Sequence, residues 1–179
     1  MIKVLHDVIA KPAQDELEQL LLGWNFPWFH YANTNYADHN TRKDDVPQFT
    51  HGFIRDDNAN SAFQHIPRII LDQMGIANTN ILRAKANLLP REPEPFTHPP
   101  HVDDAKPHVV FIYYVNDSDG DTHFYENGKV IKTVSPKKGS AVMFDGRIYH
   151  ASSSPVTHRF RIVINYNLAP GPYFDKLSG

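Results

Sequence analysis

Apolar positions recur at helical spacing in the first third of the chain. Ala13, Leu17, Leu20, Leu21 and Trp24 fall on one face at 3.6 residues per turn, and Gly23 lies near the stop. Pro12 suits a first helical turn, where its missing N–H costs nothing, and Asp15 and Glu16 stand near the positive end. A second helix is expected from about Ser61 to Met74, with Phe63, Ile66, Ile70 and Met74 on one side and Gly75 after it. Pro67 lies inside that pattern, so the helix begins or kinks there. Ahead of both, Ile2 to Ile9 reads as a strand. From residue 78 onward helical periodicity gives way to short strand-like runs: Ile81 to Leu89, His108 to Asn116, Thr122 to Glu126, Lys129 to Val134, Ser140 to Phe144, Arg147 to Ser152 and Arg159 to Leu168. Asn127-Gly128 between two of them predicts a primed hairpin turn. The expected fold is mainly β with flanking helices (α+β). Residues 1–77 form a helical and strand support region, and residues 78–168 form a sandwich or barrel braced from outside by the helices.

Length and composition narrow the function. A chain of 179 residues fits a single domain over 1–179, and 41% hydrophobic content supports a core. Formal charge of −2 and a pI near 6.6, with mixed signs, give no basic stripe for nucleic acid. The apolar run Val109 to Val115 is too short for a bilayer, and no membrane partner is expected. Met1 to Lys11 contains His6 and Asp7 and no signal-like apolar stretch, so a cytoplasmic protein is expected. The chain has no cysteine, which excludes disulfides and thiolate metal sites and leaves His, Asp and Glu as ligands. Asn33 to Asp45 is a long polar stretch without periodicity, expected to be either a lid that folds over the barrel mouth when substrate binds or a permanently flexible surface loop.

His101-Val102-Asp103 could offer one ion two side chains, since residues i and i+2 of a strand point the same way. With 11 histidines and 20 acidic residues one such pair is expected by chance, so it does not stand alone. His150, on a late predicted strand, completes two histidines and one carboxylate, the facial set that holds iron(II) with positions open for substrate and oxygen. A dicarboxylic cosubstrate then needs a cation for its far end. Arg159 and Arg161 follow His150 with the same strand parity, and spacing alone does not choose between them. The same ligands would also suit a zinc-dependent hydrolase, although no Glu follows either histidine at helical spacing to act as base. A barrel that binds a small acid without turnover is the third reading.

Together the pieces His101-Val-Asp103, Phe111-Ile-Tyr-Tyr-Val-Asn116, Gly120-Asp-Thr-His-Phe124, Lys138-Gly-Ser-Ala-Val-Met-Phe144 and His150-Ala-Ser-Ser-Ser-Pro-Val-Thr157 leading to Arg161 resemble the prolyl-hydroxylase-like branch of the 2-oxoglutarate and iron(II)-dependent dioxygenases. The resemblance covers about residues 80 to 168 and weakens before them. It implies a double-stranded β-helix (jelly-roll) fold with iron(II), 2-oxoglutarate and dioxygen as cofactor and cosubstrates, and ascorbate as a candidate accessory reductant. The implied reaction hydroxylates an unidentified substrate, a peptidyl prolyl, another protein side chain or a small molecule, with release of succinate and carbon dioxide. It further implies metal ligation by His101, Asp103 and His150, and cosubstrate contacts from Arg161, Tyr114 and Asn87. Arg161 is favoured over Arg159 by its distance from Pro155. Arg83, Lys85 and Asn87 alternate along one strand, a face either polar toward the pocket or simply solvated. Asn165 shares a face with Arg161 and is a weaker pocket candidate. Pro90 to Pro100 departs from the pattern as a proline-rich approach to the metal motif, while His98, His108 and His123 lack a partner at ligand spacing and are expected to be structural or exposed.

Overall fold

The structure, a computed structural model, describes residues 1–31 and 46–171; the expected lid or loop, Asn33 to Asp45, lies outside the described residues. Strand β1 (Ile2–Leu5) stops short of the predicted end because Asp7 takes a positive φ of 48° and turns the chain into helix α1 (Lys11–Leu22). Pro12 sits at the start of α1 as expected, but Asp15 and Glu16 fall beyond the first turn. Asp15 joins Glu18 in pairing with Lys138 instead, tying α1 to the loop that precedes a sheet strand. Leu17 and Leu21 are buried, whereas Trp24, placed by periodicity on the same face, lies past the helix end and is 94% exposed. The helix stops at Gly23, whose N–H closes on Leu20 O, and the repeat ends with it. Helix α2 (His65–Gln73) begins at Pro67's own first turn rather than kinking, and buries Ile66, Ile70 and Leu71.

Strands β2 (Phe29–Tyr31), β3 (Gln48–Arg55) and β4 (Asn58–Ala59) separate the two helices. After α2 come β5 (Ile81–Pro90), β6 (Val109–Tyr114), β7 (Thr122–Glu126), β8 (Lys129–Val134), β9 (Ala141–Asp145), β10 (Tyr149–Ser152) and β11 (Phe160–Leu168). The larger sheet runs β1-β9-β6-β11-β5-β3-β2, with β4 on β3, and the smaller runs β10-β7-β8. The larger sheet thus recruits strands from the first 77 residues as well as from the barrel region. All named pairings are antiparallel. Asn127 and Gly128 join β7 to β8 with φ of 50° and 74°, the two left-handed positions that a type I′ turn requires.

Alternation along the strands divides the apolar residues into two layers. Phe111, Tyr113, Ile162, Ile164 and Tyr166 pack with Leu17, Leu21, Ile70 and Leu71, so the helices cover one face of the larger sheet. Val110, Ile112, Tyr114, Phe144 and Val163 point the other way and meet Phe124 and Val134 of the smaller sheet. Each such fully buried side chain contributes about 1.5–3 kcal/mol relative to exposure. No helix among the described residues is long and apolar enough to cross a membrane.

Candidate metal centre and adjoining clefts

The interior-facing positions of β5 and β11 turn polar toward one end of the sandwich. Register sets Asn165 opposite Lys85, Asn167 opposite Arg83 and Val163 opposite Asn87, while β3 sets Thr50 beside Asn87 and Gly52 beside Lys85. The alternating Arg83, Lys85 and Asn87 therefore face the inside, and they are not the solvated face of a barrel strand.

His101 reaches this end without a regular strand, contrary to the expectation that His101 and Asp103 share one. The end of the proline-rich run lies along β10 and the residues just after it, and pairs with them at a few positions. His98 N donates to Ser152 O at 2.9 Å, Ser154 N donates to Phe96 O at 2.9 Å, and His101 exchanges both backbone bonds with His150. Pro93, Pro95, Pro99 and Pro100 have no donor, so the pairing is reduced to isolated bridges at Thr97–Ser153 and His101–His150. The second bridge sets the two histidines directly opposite each other, with ring centroids 4.7 Å apart.

His101, Asp103 and His150 each offer a ligand atom, and those atoms lie within 4.8 Å of one another. His101 Nδ1 is 3.3 Å from Pro99 O and His150 Nδ1 is 3.2 Å from Ile148 O. These carbonyls hold the proton on Nδ1 and leave each Nε2 lone pair for an ion. His101 Nε2 lies 3.6 Å from Asp103 Oδ1. The other carboxylate oxygen, Oδ2, accepts from Arg83 Nη2 at 2.9 Å and from Asn165 Nδ2 at 3.2 Å. Burial alone would raise the Asp103 carboxyl, but Arg83 and the two histidines hold it well below the usual range. Burial pushes His150 down to about 4, so it is neutral near pH 7. The donor set is therefore two imidazoles and one carboxylate, which fits a divalent cation. Phe144 packs edge-on against His150 at 4.9 Å and closes that side to water.

A narrow cleft runs from this cluster to Arg161, with Asn87, Thr122, His150 and Asn165 in its wall. Arg161 is only 3% exposed; its Nε donates to Gly120 O at 2.7 Å and its Nη2 to Thr122 Oγ1 at 2.9 Å. Two of its five N–H donors are so occupied, and the rest remain for a ligand. Asn116 fixes the start of β11, accepting from Ile162 N at 2.8 Å and donating to Phe160 O at 2.9 Å. Asp119 gathers the N–H groups of Val156, Thr157 and His158, which shapes the Pro-Val-Thr turn that delivers Arg161. Arg159 instead lies over the Phe160 ring at 5.4 Å, outside the cleft wall.

Tyr114 stands behind the wall. Its hydroxyl donates to Thr122 Oγ1 at 2.9 Å, and burial raises its pKa to about 12. Thr122 was not singled out by sequence reasoning, although it lies in a motif that was. Its oxygen accepts from both Tyr114 and Arg161, so its own hydrogen is left for the cleft. Asn87 lines the cleft but gives Nδ2 to Gln48 Oε1 at 2.7 Å, leaving Oδ1 a buried acceptor without a partner; Asn165 Oδ1 is in the same position. Arg83, the direct partner of Asp103, was seen in sequence only as one of three alternating polar residues. His98, His108 and His123 stay outside the cluster: His98 meets Ser154 Oγ, His108 meets Lys106 O and His123 meets Ser153 Oγ.

No family model matches the sequence, and no curated protein does. Solved structures do match. An oxidoreductase of the 2OG-Fe(II) oxygenase family from Burkholderia pseudomallei superposes with a TM-score of 0.69 at 11% identity, over 94% of this chain and 84% of that one. A Trichoplax adhaerens prolyl hydroxylase, solved with a hypoxia inducible factor peptide fragment, gives 0.66 at 14% identity, over 94% and 83%. HygX from Streptomyces hygroscopicus, solved with nickel and 2-oxoglutarate, gives 0.63 at 11% identity, over 94% and 82%. At such identities the likeness establishes the architecture: this chain has the double-stranded β-helix fold of the 2-oxoglutarate and iron(II) oxygenases.

Proposed function

We propose that the protein is an iron(II)- and 2-oxoglutarate-dependent oxygenase that hydroxylates its substrate. The observation that carries this reading is the joint placement of a two-histidine, one-carboxylate cluster and a buried arginine on one narrow cleft. His101, Asp103 and His150 would hold the iron, which supplies activation of dioxygen coupled to oxidation of 2-oxoglutarate to succinate and carbon dioxide. The chain's own contribution is orientation and charge. Pro99 and Ile148 carbonyls set the histidine tautomers, and Arg83 and Asn165 aim the Asp103 carboxylate. Arg161 and the Thr122 hydroxyl supply donors for the far carboxylate of the cosubstrate, while Tyr114 acts through Thr122. Asn87 presents an acceptor at present, so a direct contact with a dicarboxylate requires its amide to turn.

The test is succinate formation from 2-oxoglutarate by purified protein with iron(II) and air. Succinate dependent on iron and absent with zinc supports the reading. A zinc-loaded protein that hydrolyses substrates without 2-oxoglutarate would point to the hydrolase instead.

Gly120 gives a separate prediction. A Cβ there would lie 2.5 Å from Ser153 O and 2.9 Å from Arg161 Cδ, closer than real contacts allow. Since Arg161 Nε also rests on Gly120 O, Gly120→Ala must displace the guanidinium. Titration of 2-oxoglutarate is expected to show an affinity loss of at least about tenfold, with iron stoichiometry unchanged.

A further inference from the structure

Arg161 and the two groups that hold it belong to different sheets. Arg161 lies on β11 of the larger sheet, whereas Gly120 and Thr122 lead into β7 of the smaller. Strand pairing fixes positions within a sheet, so the distance between these partners depends on the crossovers. One runs from β6 to β7 over residues 115–121, the other from β10 to β11 over 153–159. Near Arg161 the two are joined through one carboxylate. Asp119 Oδ2 accepts from Val156 N at 3.0 Å and Thr157 N at 2.8 Å, and Oδ1 accepts from His158 N at 3.1 Å. The His158 imidazole adds a fourth contact, Nδ1 to Oδ1 at 2.9 Å. Burial alone would raise this carboxyl, but those four donors hold it well below the usual carboxylate range. A charged acceptor also strengthens each bond. The neighbouring ties act elsewhere. Asn116 holds the backbone on both sides of Arg161 but extends β6 within the larger sheet. Ser153 N donates to Asp121 O at the far end of the second crossover, and Asp117 Oδ1 accepts from Lys138 N ahead of β9.

We propose that Asp119 is a positioning residue of the cosubstrate site, acting through Arg161. It pins the turn that carries the arginine to the residue next to Gly120, whose carbonyl accepts Arg161 Nε, so the guanidinium meets its socket with donors left for the cleft. The assignment rests on the oxygenase reading of the metal centre. Asp119 is not part of the cleft wall, so its effect reaches a bound dicarboxylate only by way of Arg161. An amide in its place offers one oxygen where two accept, and turns its own N–H groups toward backbone N–H donors. The turn then loses at least one bond and shifts. A displacement of a binding group by about 1 Å costs up to about a hundredfold.

The test titrates 2-oxoglutarate by isothermal calorimetry into the full chain loaded with zinc(II), so that nothing turns over. Asp119→Asn is expected to weaken binding at least about tenfold with metal stoichiometry unchanged. Asp117→Asn keeps an oxygen for Lys138 N and should change affinity by less than about twofold. The deciding readout is a cycle with Arg161→Ala. A residue that acts through the guanidinium has nothing to position once it is gone, so Asp119→Asn should then cost under about twofold. His158→Ala removes only the imidazole contact; it should repeat the pattern at about threefold, and it replaces Asp119→Asn if that variant does not fold. Where Arg161→Ala leaves no measurable binding, the Arg161 Nε–H resonance decides: faster exchange with water in Asp119→Asn supports the proposal, and unchanged exchange overturns it. An equal loss in Asp117→Asn, or the same loss in the Arg161→Ala background, also overturns it. Wild-type affinity in Asp119→Asn sinks this inference alone, whereas failure of 2-oxoglutarate to bind the wild type sinks the oxygenase reading.

Discussion

Stoichiometric iron(II) binding is expected to disappear when His101, Asp103 or His150 is replaced by alanine. Each change removes one of three donors, and a two-donor remnant competes poorly with water for a divalent ion. The three losses should not be identical in kind. His150 is 4% exposed and packed on Phe144, so His150→Ala also opens a void beside that ring. Asp103→Ala removes the carboxylate that pairs with Arg83 and, among the described residues, leaves that guanidinium its bond to Asn167 Oδ1. Arg83→Gln provides the graded comparison. Its partner carboxylate stays in place but loses its aim, and loss of such an outer contact costs roughly 10–100-fold in metal affinity. The alanine variants of the ligands should exceed that range. Competition with a calibrated chelator measures all four, and retention of one iron per chain by all three ligand variants would show that the metal centre is elsewhere.

How much of this could be read from the chain depends on which side of each strand met apolar surroundings. The strands β5, β6, β9 and β11 were legible because one face of each met the helix-covered layer: Phe111 and Tyr113, or Ile162, Ile164 and Tyr166, mark the period plainly. Thr122–Glu126 and Lys129–Val134 were legible to the residue because Asn127-Gly128 pins the turn between them. Strand β3 was not. Its interior face carries Gln48 and Thr50, which line or border polar clefts and so look like solvent positions, and the register shift between Gly52 and Ile54 breaks the alternation. The same inversion made Arg83, Lys85 and Asn87 ambiguous, because a polar wall around a charged site and a wetted surface have the same pattern. The metal ligands were legible as residue types, but their meeting was not derivable from a strand rule. It depends on a one-residue bridge between His101 and His150 in a loop whose prolines prevent anything longer. Thr122 was missed because its role comes from two donors converging on its oxygen, and one of them, Arg161, is distant in sequence.

Removal of Arg161 is expected to raise the 2-oxoglutarate requirement by at least about a hundredfold and to leave iron binding nearly intact. The side chain is buried at the end of the cleft away from the metal cluster, held by Gly120 O and Thr122 Oγ1, and touches none of the three ligands. A carboxylate that loses its guanidinium in such a dry place is left uncompensated, a change worth about 3–5 kcal/mol, and every 1.4 kcal/mol is about tenfold in affinity. Arg161→Lys should recover only part of the loss, since an ammonium offers a point charge where the guanidinium offers a planar fork. Arg159→Ala is expected to change the requirement little. The two arginines share a parity along the chain, but Phe160 begins β11, so Arg159 lies just outside the paired strand and its guanidinium rests over the Phe160 ring. Arg161 falls within the strand, where pairing with Leu89 of β5 fixes its direction. Titration of 2-oxoglutarate into the four proteins, wild type and three variants, decides the matter with iron content measured in parallel. The reverse order would move the cosubstrate site to Arg159, and equal affinities throughout would remove the arginine, and with it the 2-oxoglutarate reading, from this cleft.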